Sequence, residues 1–301
     1  MVEGIVLERL ESGELIDLNM HTSVDYVLNS VDWGVIKSNH YSYKYVNQVG
    51  IYIIGTSLET RDVVITGWVI GTDNEMMTRR KEVLNNFVNP SKALVLHYKG
   101  YVLTFLPDTS IRYSVDYMEN NNVICKFKIE GIAPDPMFKE KNEKKIPAIT
   151  TVGKFHFPLI IAQTSPPEEL PTVIFGVREP SLLIAVNNNG PVPVGMRVVF
   201  RAIGSTGNPQ LTNVVTGEFF RINKSMVAGE EIEVNSIVGS KKVIGRLGPH
   251  EENYFEYRDL DSTWLQLRTG DNIFRYDASN SNSLEVYVYF FTNFLEVQQW
   301  D

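Results

Sequence analysis

The stretch Asp62-Val63-Val64-Ile65-Thr66-Gly67-Trp68-Val69-Ile70-Gly71, running into Thr72-Asp73-Asn74-Glu75-Met76-Met77, decides how the chain is read. Its first part is rich in β-branched and aromatic residues that fit a pleated surface, so a strand is expected over 61–70. A helix is expected directly after it. Thr72 and Glu75 have the spacing of a capping box, in which a hydroxyl caps the first turn and a carboxylate reaches back. Met76, Val83 and Phe87, with Met77, Leu84 and Val88 alongside, recur at spacings that make one apolar face. Asn89-Pro90 ends the helix, because a residue before proline is pushed out of the α region. Arg79, Lys81 and Glu82 fall on the opposite face, for which solvation is the commoner explanation.

Outward from this stretch, strands are expected at 51–54, 93–98, 101–106, 111–117 and 123–132, with Lys99-Gly100 joining two of them as a hairpin. In the last of these, Cys125 alternates in phase with Val123, Phe127 and Ile129, which makes it a small core residue rather than a nucleophile. Ala133-Pro134-Asp135-Pro136 and the lysine–glutamate run at 139–145 then read as a stop and a linker. Ser165-Pro166-Pro167-Glu168-Glu169-Leu170-Pro171 lacks the donors a central strand needs. Beyond it, short strands at 193–203, 211–215, 218–222, 231–234, 242–244, 264–267, 273–276 and 284–291 are separated by turns such as Asn188-Asn189-Gly190, the pattern of a β-sandwich. The expected fold is therefore mainly β with one helix (α+β). Its expected parts are a first domain over 1–138, a linker and the start of the second domain over 139–171, and a sandwich over 172–301.

Composition narrows the function by exclusion. At 301 residues, with 43% hydrophobic and 21% charged residues, the chain can build real cores. A formal charge of −8 argues against a nucleic-acid binder, which needs a concentrated basic surface. One cysteine rules out an internal disulfide framework and a cysteine-built metal site. The histidines at 21, 40, 97, 156 and 250 form no metal-binding spacing, and His97 reads as a structural residue of its strand. There is no nucleophile elbow, no phosphate loop and no glycine-rich strand-to-helix turn. Adjacent pairs such as Glu230-Glu231 and Glu251-Glu252 would point to opposite faces of a strand and cannot flank one bond. No enzyme, cofactor or metal is expected. The acidic N-terminal residues do not fit a signal peptide and no window is apolar enough to span a membrane, so synthesis and retention in a cytoplasm are expected.

The order of these elements resembles a known family. Asp62 to Gly71, the helix around Arg79-Arg80-Lys81, Phe87-Val88-Asn89-Pro90, Leu96-His97-Tyr98, Ile129-Glu130-Gly131 and Asp135-Pro136-Met137-Phe138 look like the N-terminal domain of the siphophage distal-tail (Dit) family. Asn208-Pro209-Gln210-Leu211-Thr212-Asn213, Thr216 to Asn223, Met226 to Val234 and Gly270-Asp271-Asn272 resemble its C-terminal domain.

The resemblance implies an N-terminal partial β-barrel that closes a hexameric ring and a galectin-like C-terminal β-sandwich that projects outward. It implies a place at the virion tail tip, between the tail tube with its tape-measure protein and the tail-associated fibre or lysin. A receptor-binding protein is a further candidate partner. DNA would pass through the hole without specific binding, past a lumen expected to be acidic or neutral. Arg79, Arg80 and Lys81 are the candidate assembly residues, since a charged helix face could set subunit register. The sugar-clasping motif of galectins, His-x-Asn-Pro-Arg, is missing, because Asn208-Pro209 is preceded by Thr206 and followed by Gln210. Two other readings stay open at this point: a carbohydrate-binding adhesion module using aromatics near Tyr254, Tyr257 and Trp264, and a cell-wall hydrolase whose site is assembled only in space.

Overall fold

The computed structural model describes residues 4–20, 25–47, 49–153, 176–180 and 182–297. The chain forms two compact units: Met1–Asn142 together with Asn293–Asp301, and Glu143–Thr292.

The first unit contains strands β1 (Gly4–Arg9), β2 (Leu15–Asn19), β3 (Tyr26–Asp32), β4 (Ser38–Tyr43), β5 (Tyr52–Leu58), β6 (Arg61–Ile70), helix α1 (Asn74–Phe87), and strands β7 (Leu94–Tyr98), β8 (Tyr101–Pro107), β9 (Arg112–Tyr113), β10 (Ile124–Ala133) and β11 (Phe138–Glu140). Neighbours run β8-β7-β1-β2-β3-β6-β10, and β10 returns to β8 through the pairs Gly131–Pro107 and Ile132–Leu106. The sheet is therefore a closed seven-stranded barrel. Strict alternation along β6 and β10 turns Val63, Ile65, Val69, Cys125, Phe127 and Ile129 inward. A barrel of this size is just wide enough to be filled by its own side chains. Each large apolar residue so buried contributes roughly 1.5–3 kcal/mol.

Two glycines permit the tight curvature. A Cβ on Gly67 would lie 2.7 Å from the Val27 carbonyl oxygen, beside the β-bulge in β3. A Cβ on Gly131 would lie 2.5 Å from the Leu106 carbonyl oxygen, at the closing seam.

Helix α1 starts one residue later than the capping-box reading predicts. Asp73 is the N-cap, its carboxylate accepting from the Met76 amide at 2.8 Å, while the Thr72 hydroxyl donates to Asp73. A carboxylate outcompetes a hydroxyl here because it also meets the positive end of the helix dipole. The amide hydrogen bond from Met76 and the hydroxyl of Thr72 hold the Asp73 pKa below its ordinary value. Met77, Leu84, Phe87 and Val88 are buried, whereas Val83 is 50% exposed, so the apolar face is narrower than expected.

The segment 293–297 completes this unit. Asn293–Phe294 pairs with β11, which pairs with β8. Trp33 is fully buried, 5.2 Å from Tyr98 and 5.3 Å from Phe138, and its indole donates to Glu296 at 2.9 Å. The buried Arg61 guanidinium lies 5.0 Å over the Phe138 ring and donates to the Leu295 carbonyl. These contacts move the observed boundaries away from 138 and 301. The charged run at 139–145 is not a free linker either, since it contributes β11 to one unit and Lys144–Pro147 to the other.

The second unit has two main sheets. One runs Lys144–Pro147, Leu284–Phe290, Arg197–Ala202, Glu230–Asn235, Lys242–Leu247, His250–Asn253; the other runs Leu183–Asn188, Gly270–Asp277, Gln210–Asn213, Phe219–Arg221. Their inner faces share one core that includes Phe200, Ile232, Val286, Phe274, Tyr276 and Phe220. This is the sandwich expected from the sequence. The proline-rich stretch 165–171 lies outside the described residues.

Candidate functional site: assembly surfaces

The three basic residues of α1 part company in the structure. Arg80 is turned inward: its guanidinium donates to the Ile70 carbonyl and pairs with Asp25 at 2.5 Å. Lys81 donates to Asn120 at 3.0 Å and sits 5.4 Å from the Tyr113 ring. Both therefore fasten the helix to its own barrel. Arg79 is exposed and lines a groove. Tyrosines complete the fastening, with Tyr26 donating to the Arg80 carbonyl at 2.9 Å and Tyr113 donating to Asn85 at 3.0 Å. Burial raises the pKa of both phenols, so they remain donors at any ordinary pH.

The groove runs along α1 beside β2. One end, of about 530 Å³, is lined by Asp17, Asp25, Met76, Arg79 and Val83; the other, of about 380 Å³, by Arg9, Glu14, Asn86 and Phe87. Leu15, Ile16 and Val83 line both ends, which makes the two continuous.

A second feature was only half legible in the sequence, as a strand at 51–54. Strands β4 and β5 pair only with each other among the described residues, and no residue of either is buried. Tyr43 stacks on Tyr52 at 5.6 Å, and Tyr45 meets Tyr43 edge-on at 5.0 Å. Around them Val46, Val49, Ile53 and Ile54 are all more than half exposed.

The second unit carries a charged face centred on Glu233. Glu233 is buried and receives Arg246 at 2.8 Å, Lys242 at 3.2 Å and Arg197 at 3.5 Å. Burial opposes its ionisation, but hydrogen bonds from Arg246 and Lys242 outweigh that and lower its pKa. The cavity inside the sandwich holds about 10 Å³ between Val198, Phe200, Leu211 and Phe220, too small and apolar for a ligand. The aromatics considered for sugar binding are engaged in packing: Tyr254 is buried and donates to Glu230 at 3.1 Å, and Trp264 lies 5.0 Å from Phe220. Thr206, at the first position of the absent galectin motif, is buried and donates to the Asn280 carbonyl at 3.0 Å. No group of three or more potential metal ligands occurs among the described residues, and none of their helices is long and apolar enough to cross a membrane.

Residues 189–293, nearly all within this second unit, match the family model of the siphovirus-type tail component, C-terminal domain. That match makes the second unit similar to a siphovirus-type tail-component domain. The resemblance to the siphophage distal-tail family holds, and the whole fold agrees with it. The crystal structure of the Dit (gp 19.1) protein of phage SPP1, described as a paradigm of hub adsorption apparatus in phages infecting Gram-positive hosts, superimposes with a TM-score of 0.66 at 12% identity, over 96% of this chain and 99% of that one. A chain of the phage P2 baseplate in its activated conformation with Ca gives 0.53 at 11% identity, over 96% and 98%. The phage p2 baseplate activated with Sr gives 0.52 at 10% identity, over 95% and 97%. No curated protein matches the sequence. At such identities the likeness is one of fold.

Proposed function

We propose that this distal-tail-type chain is a structural, non-enzymatic subunit of the tail-tip hub of a long-tailed phage. In this reading six copies close into a ring that joins the tail tube and tape-measure end to the tail-associated fibre or lysin. A receptor-binding protein is a candidate partner of the second unit, and DNA passes through the ring. The observation that carries the proposal is the agreement of fold with a solved hub protein over 96% of this chain, together with the match of residues 189–293 to the siphovirus-type tail-component model.

Two physical points support it. The seven-stranded barrel is filled by its own side chains, so a passage for DNA must be enclosed by several copies rather than bored through one. A chain of formal charge −8 gives such a passage little reason to retain a polyanion. Arg79, exposed on α1, is the remaining candidate for setting register between copies, while Arg80 and Lys81 act within the subunit.

Negative-stain electron microscopy of the purified chain across a concentration series tests the reading. Six-fold rings with an open centre wide enough for duplex DNA are expected. Monomers at every concentration, with and without tail-tube and fibre partners, would overturn it.

A further inference from the structure

The hairpin of β4 and β5 is the least explained part of the molecule. An isolated two-stranded ribbon is marginal in water, yet this one projects with both faces exposed. Its exposed side chains are not those of a solvated loop. Tyr41, Tyr43 and Tyr52 share a face through the pairs Tyr41–Gly55 and Tyr43–Tyr52, and Tyr45 extends it. Clustered tyrosines are what protein interfaces enrich, since each offers a flat apolar body and a hydroxyl. The charge is distinctive too. From Trp33 to Leu58 there is no acidic residue, only Lys37, Lys44 and His40, in a chain whose net charge is −8.

The groove along α1 has the opposite character. Its floor holds Leu15 and Val83, both at least half exposed. Its ion pairs are lopsided in a consistent sense. Glu14 is 59% exposed while its partner Arg9 is 15%, and Asp25 is 55% exposed while Arg80 is 19%. The carboxylates of Glu14, Asp17 and Asp25 thus stand outward while Arg9 and Arg80 are recessed; Arg79 is exposed beside them, so the groove presents apolar surface on a rim where exposed carboxylates outnumber exposed cations.

We propose that the β4–β5 hairpin of one copy docks into the α1–β2 groove of a second copy. Tyr43 and Tyr52 cover Leu15 and Val83, while Lys44 and the tyrosine hydroxyls meet the rim carboxylates. Because arm and groove are different surfaces, the contact is heterologous, and repeating it gives either a ring or a filament. The inference rests on the ring reading above and names the contact that builds the ring.

Cysteine crosslinking of the full chain tests it. Cys125 is buried, so the native chain supplies a background without an exposed thiol among the described residues. Three variants are made: Val46→Cys on the arm, Val83→Cys in the groove, and both together. The expected result is a disulfide-linked dimer when the two single variants are mixed, little from either alone, and a ladder from the double variant that stops at the ring's subunit number. A dimer from Val46→Cys alone would overturn the inference in favour of arm-to-arm pairing. Rings visible in the microscope without arm–groove crosslinks would overturn it while leaving the ring reading intact, and would assign the arm to another tail protein. Absence of both rings and crosslinks would overturn both.

Discussion

Replacing Gly131 by alanine should loosen the barrel at the seam where it closes. The added methyl carbon would fall 2.5 Å from the Leu106 carbonyl oxygen, 2.8 Å from the Phe105 ring and 3.0 Å from the Leu106 carbonyl carbon. Two of these neighbours are backbone, so no rotamer change relieves the clash. β10 is also held on its other side by the Gly131–Val63 pair with β6. Overpacking of this kind costs about 1–3 kcal/mol. Removing a glycine from the unfolded chain returns about 0.4–1 kcal/mol. A net loss of roughly 1–2 kcal/mol is expected, and at about 2–4 °C per kcal/mol for a unit of this size the midpoint should fall by about 2–8 °C. Differential scanning calorimetry of the full chain reads this directly. Gly55→Ala is the control, since its Cβ would meet only a Tyr41 ring carbon at an ordinary 3.8 Å, and it should leave the transition unchanged or raise it slightly. A Gly131→Ala chain as stable as the parent would refute the reasoning, because the two strands would then part freely at the seam.

Acid should weaken the second unit through Glu233. Its folded pKa is depressed, so its contribution is present above the unfolded carboxylate value of about 4.3 and is lost as pH falls through the folded value. Glu233→Gln should therefore destabilise the chain at neutral pH and much less in acid, a convergence visible in melting curves across pH; a constant gap at all pH values would contradict it. Cys125 should resist a thiol reagent such as DTNB in the native state and react fully in denaturant, since it is wholly buried and its burial raises the thiol pKa. Rapid native labelling would mean that the barrel opens locally around β10.

The sequence showed β6, α1, β7, β8 and β10 because each combines a clean apolar period with a stop signal such as Asn89-Pro90 or Lys99-Gly100. It hid β1, β2 and β3, although Ile5 and Leu7, Ile16 and Leu18, and Tyr26 and Leu28 alternate inward as regularly. Those strands are short, and β2 meets β3 through a single parallel pair, Asn19–Val27, which no local turn announces. The role of 293–297 was not legible either, because a strand partner far away in sequence leaves no periodic trace. For the candidate assembly residues, the pattern placed Arg79, Arg80 and Lys81 together as neighbours on a charged helix. Only tertiary structure could separate the exposed Arg79 from Arg80, committed to Asp25, and Lys81, committed to Asn120. The tyrosine hairpin was legible only at 51–54, since none of its strand residues is buried and it shows no apolar face turned to a core among the described residues.

Arg61 and Trp33 reach across the sequence to Leu295 and Glu296, and Val297 lies in the same core. On a ribosome that arrangement sets an order of events. The sandwich can collapse once Thr292 has emerged, while the first unit waits for the residues after it, which pair with β11 and place Val297 in its core. A chain broken off after Thr292 would therefore display a finished second unit and an unfinished first one. If the barrel is the part that binds its copies, truncated products are barred from assembly without any separate inspection step.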